Sequence, residues 1–131
     1  MKDRVVVVED DELIRDSLLE VLEDNGYEAI GASDGQEALD KLAKLDAPPC
    51  LIVLDLMMPG MDGFQFLERF RQLPTCRRVP VIVWTGKDLT AHDQSLLREA
   101  VQAVVPKSRR GAASVLEEIE RFVPLGAGGK R

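Results

Sequence analysis

The sequence predicts a doubly wound α/β domain built on a five-stranded parallel sheet with five helices, and three observations carry that expectation. The runs Val5-Val6-Val7-Val8, Leu51-Ile52-Val53-Leu54 and Val79-Pro80-Val81-Ile82-Val83-Trp84 are short, β-branched and continuous, as strands covered on both faces must be. The stretches between them repeat apolar residues at helical spacing. Their number, five β-α units within 131 residues, suits one domain with strand order 2-1-3-4-5.

Each element has its own signal. The first strand is Val5 to Val8, and the first helix follows with Ile14, Leu18, Val21 and Leu22 on one face and Asn25-Gly26 as its stop. A weaker second strand runs from Tyr27 to Ala32, and Ser33-Asp34-Gly35-Gln36 starts the second helix. The third strand is Leu51 to Leu54; Pro59-Gly60 then suits positions i+1 and i+2 of a type II turn. Asp62-Gly63-Phe64-Gln65 and Thr90-Ala91-His92-Asp93 start the third and fourth helices, on either side of the fourth strand, Val79 to Trp84. A fifth strand, Gln102 to Pro106, must lie at the sheet edge, where the missing proline N–H is tolerated. The last helix presents Val115, Ile119, Phe122 and Val123. The domain is expected to occupy residues 1–124, with the Gly-rich 125–131 as a frayed tail or severed linker and no output domain beyond.

Composition excludes several classes of function. A net charge of -6, from 23 acidic and 17 basic residues, argues against nucleic acid, whose phosphates are bound by clustered Lys and Arg. The basic pairs Arg77-Arg78, Arg109-Arg110 and Lys130-Arg131 read as solvated surface. Two cysteines at unrelated positions give neither a disulfide framework nor a metal-ligand spacing, and Cys50 opens an apolar run that reads as a buried strand. Met1-Lys2-Asp3-Arg4 followed by four valines is too short for a signal peptide or membrane span, so a cytoplasmic protein is expected.

In such a sheet, the residues at the carboxyl ends of the strands converge on one crevice. Here they are Glu9-Asp10-Asp11, Asp55, Thr85 and Lys107. Carboxylates gathered there repel one another unless a cation is present. A hard divalent ion, Mg2+ or Mn2+, suits an oxygen set, with Asp10 and Asp55 binding directly and Glu9 through water. Lys107 can neutralise one oxygen of a transferred phosphoryl group and the Thr85 hydroxyl can bind another, leaving Asp55 placed to attack phosphorus. Each residue also has a plainer reading. The acidic triplet can be the capped entrance of the first helix, Thr85 a loop or capping residue and Lys107 a surface lysine. It is their joint position at four strand ends that carries the inference. Trp84 is expected to pack under the fourth helix or at the last strand rather than to meet a dedicated partner. His92, the only histidine, is expected to be exposed at a helix start.

These residues resemble the response-regulator receiver domains, a flavodoxin-like family that takes phosphate from histidine kinases. The likeness spans nearly the whole chain: Val5-Val6-Val7-Val8-Glu9-Asp10-Asp11, then Leu54-Asp55-Leu56-Met57-Met58-Pro59-Gly60-Met61-Asp62-Gly63, then Val83-Trp84-Thr85-Gly86, and Val105-Pro106-Lys107. The resemblance implies Asp55 as phosphoacceptor, Glu9 and Asp10 as the acidic pair, the Met57 carbonyl as a further metal ligand, and Thr85 and Lys107 as phosphate contacts. It implies no external substrate, only self-catalysed phosphorylation and dephosphorylation. Partners would be a histidine kinase or phosphotransfer protein and a downstream protein of unread identity; the chain would be a monomer or weak dimer, away from nucleic acid and membrane. Two positions depart from the pattern. Val104 stands where the family often has an aromatic residue that flips inward behind the moving threonine, so the output geometry is expected to differ or its coupling to be weaker. Ser108 stands where a proline, often after a cis bond, is usual; a cis bond before serine costs roughly 2.5 to 4 kcal/mol, so a trans bond or an altered loop is expected.

Other functions fit less well. A haloacid-dehalogenase-like phosphatase would need a second acid two residues after the nucleophile, where Met57 stands. A flavin or nucleotide module would need glycines or hydroxyls where Glu9-Asp10-Asp11 would repel an anion. A receiver that works as a phosphorylation-independent scaffold for protein binding is the remaining alternative.

Overall fold

The computed structural model describes residues 3–108 and 110–124. Strands and helices alternate as β1 (Arg4–Val8), α1 (Glu12–Asp24), β2 (Glu28–Ala32), α2 (Gly35–Ala43), β3 (Leu51–Leu54), α3 (Gly63–Gln72), a 3-10 turn (Pro74–Cys76), β4 (Val81–Thr85), α4 (Ala91–Arg98), β5 (Ala103–Pro106) and α5 (Ala112–Phe122). The five strands form one sheet in the order β2-β1-β3-β4-β5, with every pair parallel. The expected fold class is thus the observed one, and β5 with Pro106 does lie at an edge.

Alternation along the strands builds two apolar layers. Val6, Val8, Ile52, Leu54, Val81 and Val83 face one side and pack with Ala38 and Leu42 of α2, Phe66, Leu67 and Phe70 of α3, and Leu97 of α4. Val5, Val7, Leu51, Val53, Ile82 and Trp84 face the other, with Leu18 and Leu22 of α1 and Ala112, Val115 and Ile119 of α5. Both faces of the central strands are therefore dry, which is why their sequences show no polar alternation. Each fully buried Val, Leu or Ile contributes about 1.5–3 kcal/mol.

Helix starts follow the cap chemistry. Asp62 with Gln65, and Thr90 with Asp93, form reciprocal capping boxes at α3 and α4, and Asn25 and Gly26, the latter at φ 94°, end α1. At α2 the cap is Asp34, not Ser33: its side chain accepts from the Glu37 amide at 2.7 Å, while the Ser33 amide and hydroxyl both donate to the Glu37 carboxylate. Gly60 at φ 77° fits the turn expected after Pro59.

Some expectations change. Val79 and Pro80 precede β4, Tyr27 precedes β2 and Gln102 precedes β5. Gln102 nonetheless completes the edge, its side chain accepting from the Val81 amide at 2.7 Å. Cys50 precedes β3 and is only half-buried. Phe122 is 39% exposed, because α5 turns Ala112, Val115 and Ile119 inward instead. Trp84 lies beside Val105 of the last strand as expected, but under α5 rather than α4, since position 84 has the parity of Ile82. His92 is exposed. The tail at 125–131, Arg109 and Lys130-Arg131 lie outside the described residues. Among the described residues no helix is long and apolar enough to cross a membrane.

Candidate functional site

The parallel register places the ends of β1, β3 and β4 side by side. Val8 pairs with Leu54 and Leu54 with Val83, so Glu9 and Asp55 leave adjacent strands together. The Asp55 amide donates to the Val8 carbonyl at 3.0 Å and the Glu9 amide to the Ala32 carbonyl at 3.0 Å. Both backbones are held by the sheet up to the residue that turns into the crevice.

The acidic triplet then divides its work. Asp11 is the N-cap of α1, accepting from the Ile14 amide at 3.1 Å. Glu9, 1% exposed, and Asp55, 4% exposed, are buried at the floor, while Asp10 is exposed at the rim. A carboxylate oxygen from each of Glu9, Asp10 and Asp55 lies within 4.8 Å of the others. Met57, Gly86 and Lys107 line the same cleft. The plainer reading of the triplet as a helix entrance therefore holds for Asp11 alone.

Lys107 reaches in from the end of β5. Its backbone N–H donates to the Thr85 carbonyl at 2.9 Å, which extends the β4–β5 ladder by one residue. Its Nζ stands 2.7 Å from Glu9 Oε1 and 3.4 Å from Asp55 Oδ2. The bond to Ser108 is trans, as serine requires. Burial raises the Glu9 carboxyl above its ordinary value, against the lowering effect of Lys107 and the Asp11 amide. Burial alone would lower the Lys107 ammonium, but its contacts with Glu9 and then Asp55 outweigh that and hold it above the usual lysine value. A fixed ammonium thus balances part of the buried negative charge.

Thr85 is close by but differently engaged. It is buried at the end of β4, and its hydroxyl accepts from the Lys87 amide at 3.1 Å. Lys87 Nζ in turn meets Asp93 Oδ2 of α4 at 2.7 Å. Val104 is 40% exposed on the edge strand. The structure brings Glu9, Asp10, Asp55, Met57 and Lys107 to one cleft, and leaves Thr85 beside it with its hydroxyl turned to the β4–α4 loop. Two supporting residues went unread in the sequence. Arg15 donates to the Glu9 carbonyl at 3.0 Å, and Lys87 links Thr85 to α4. Only spacing could have marked them: Arg15 lies six residues after Glu9, and Lys87 two after Thr85.

The donor set, three carboxylates gathered around an open position, is the chemistry of a hard divalent cation, with no softer ligand among them. One carboxylate cluster and one lysine at the ends of parallel strands also suit an incoming anion that brings its own oxygens.

Comparison with known proteins points the same way. Residues 5–119 match the family model described as the response regulator receiver domain. The response regulator MprA of Mycobacterium bovis is 38% identical over 107 residues, covering 82% of this chain and 45% of that protein, so the chain spans less than half the length of that relative. A receiver protein from Methanoculleus marisnigri shares 33% identity over 92% of this chain and 96% of that one, with a TM-score of 0.73. The chemotaxis protein CheY4 of Vibrio cholerae shares 26% identity over 94% of this chain and 100% of that one, with a TM-score of 0.84. The Mn2+-bound form of the response regulator Rcp1 shares 29% identity over 92% of this chain and 93% of that one, with a TM-score of 0.77.

Proposed function

Since the chain belongs to the response regulator receiver domain family, we propose that it is a phosphorylation-switched module of a two-component relay in which Asp55 accepts the phosphoryl group. The observation that carries this reading is the convergence of Glu9, Asp10 and Asp55 within 4.8 Å, with Lys107 Nζ 3.4 Å from the acceptor carboxylate. A divalent cation, Mg2+ or Mn2+, held by Glu9, Asp10, Asp55 and the Met57 carbonyl, would supply charge neutralisation at the phosphoryl oxygens.

The chain's own residues do the rest. An Asp55 carboxylate oxygen attacks phosphorus in line with the leaving nitrogen of a donor phosphohistidine. The new O–P bond forms as the P–N bond breaks, and the electron pair stays on the imidazole. Lys107 exchanges its contact with Glu9 for a charge-assisted hydrogen bond to a phosphoryl oxygen. The Met57 amide, which donates to Asp55 Oδ1 at 3.2 Å, keeps the carboxylate turned toward the opening. Met57, 56% exposed, and Ile14 both line the cleft and give its mouth an apolar rim suited to a histidine kinase or phosphotransfer protein.

Output begins when the Thr85 hydroxyl leaves the Lys87 amide for the phosphoryl group. Lys87 is tied to Asp93, so that movement reaches the start of α4 without an aromatic residue at position 104. The face formed by α4, β5 and α5 is then the surface a downstream partner reads. The module works in the cytoplasm, on no substrate but itself.

The test is covalent labelling. With Mg2+ and acetyl phosphate, the chain should gain one phosphate, mapped to Asp55 by mass spectrometry after borohydride trapping. The label should vanish in Asp55→Asn and on chelation of the metal. A label on another residue, or metal-independent labelling, contradicts the assignment.

A further inference from the structure

Position 84 holds a tryptophan whose ring has an unusual neighbour. Trp84 is 3% exposed in the layer beneath α5, and among the described residues its buried Nε1 has no hydrogen-bond partner. Phe or Leu would fill that apolar layer without burying an unpaired N–H, so packing alone does not account for an indole there. What the indole adds is the most electron-rich face available to a cation. The Lys107 Nζ lies 5.7 Å from the ring centroid, within cation–π range. Register explains the meeting. Trp84 is paired with Val105, and Lys107 is two residues further along the same strand direction, so all three share a face at the sheet edge.

We propose that Trp84 is a positioning residue for Lys107, its ring face holding the ammonium over the cleft so that the lysine exchanges Glu9 for a phosphoryl oxygen without leaving the site. This rests on the phosphoacceptor reading of Asp55. Lysine is a flexible four-carbon stem ending in a point charge, and little in its own chemistry fixes where that charge sits. Carboxylates fix it only while they are free of other cations. The ring is neutral and buried in the same apolar layer as Val105, Ala112 and Val115, so it restrains the ammonium both before and after the carboxylates change partners. In this way an exposed edge strand presents a preorganised charge to the transfer step.

Two measurements test it. In the metal-free wild-type chain, the Lys107 ε-methylene protons should be shifted upfield of those of the other lysines by the indole ring current. The shift should be lost in Trp84→Leu. The maximal rate of Asp55 labelling by acetyl phosphate with saturating Mg2+ should fall roughly three- to thirtyfold in Trp84→Leu, the range a cation–π contact supplies. Trp84→Phe, which keeps a ring, should label faster than Trp84→Leu but slower than wild type, while Mg2+ affinity measured by calorimetry stays unchanged in both. The phenylalanine arm stands if the leucine variant does not fold. Wild-type rates in the variants, or Lys107 protons that resonate with the other lysines, overturn the proposal alone. A wild-type chain that takes no label overturns the phosphoacceptor reading and this proposal with it.

Discussion

Glu9 shows how one buried carboxylate can be costly to the fold and useful to the site. It is 1% exposed, and its oxygens meet the Lys107 ammonium and the Asp11 amide. Burial nevertheless keeps its pKa above the ordinary 4.5. A raised carboxyl pKa means the folded chain holds that proton more tightly than the unfolded one. Wild-type stability therefore falls as pH rises from 4.5 to the folded value, and the full cost of the buried charge is present above it. Glu9→Gln has no such titration. In metal-free urea unfolding, its stability relative to wild type should increase as pH rises from 4.5 and then level off; parallel curves for the two proteins would contradict this. At this scale the sequence was legible for residues whose place follows from strand position, namely Glu9, Asp10, Asp55 and Lys107, which do meet in one cleft. It was not legible for hydroxyl direction. Thr85 stands at the expected strand end, but its oxygen faces the Lys87 amide, a choice made by a loop that has no periodicity to read.

Elements were read most accurately where packing or cap chemistry leaves one solution. The runs at β1 and β3 are buried on both faces, so their sequences could belong to little else. Asp62-Gln65 and Thr90-Asp93 close as capping boxes, while Ser33 lost its place to Asp34 because either oxygen satisfies the same pattern one residue apart. Glu37 then bonds back to Ser33, which brings its carboxyl down to about 2. Trp84 lies at the last strand as expected but under α5, and Phe122 is partly exposed: periodicity says that a residue is on a face but not what covers it. The loop from Asp55 to α3 depends on Gly63. A Cβ there would lie 2.7 Å from the Leu56 Cα and 2.9 Å from the Asp55 carbonyl oxygen, both backbone atoms that cannot swing away. Gly63→Ala should destabilise the chain by about 1–3 kcal/mol, as overpacking does. It should also slow Asp55 labelling more than a substitution at Gly60, where a Cβ meets nothing within 4 Å, although φ 77° strains that position too. Equal labelling by the two variants would show that α3 packing does not position the acceptor.

Across the whole molecule, the sheet concentrates negative charge at the carboxyl ends of its interior strands, and Lys107 at the end of β5 balances part of it. A net charge of -6 adds to that field. A divalent cation that binds only the folded cleft must stabilise the chain, by about 2.7 kcal/mol at roughly a hundred times its Kd. Calorimetry should show a melting temperature that rises with Mg2+ at constant ionic strength, with the rise removed in Asp10→Asn combined with Asp55→Asn. An equal rise with Na+ would reduce the effect to screening. The proposed switch turns on one rearrangement, in which Lys107 gives up Glu9 to hold an oxygen on Asp55. A crystal structure with Mg2+ and beryllofluoride observes it directly. The expected result is beryllofluoride on the Asp55 carboxylate, metal among Glu9, Asp10 and Asp55, and the Lys107 ammonium on a fluoride. An empty cleft with Lys107 still 2.7 Å from Glu9 would contradict it.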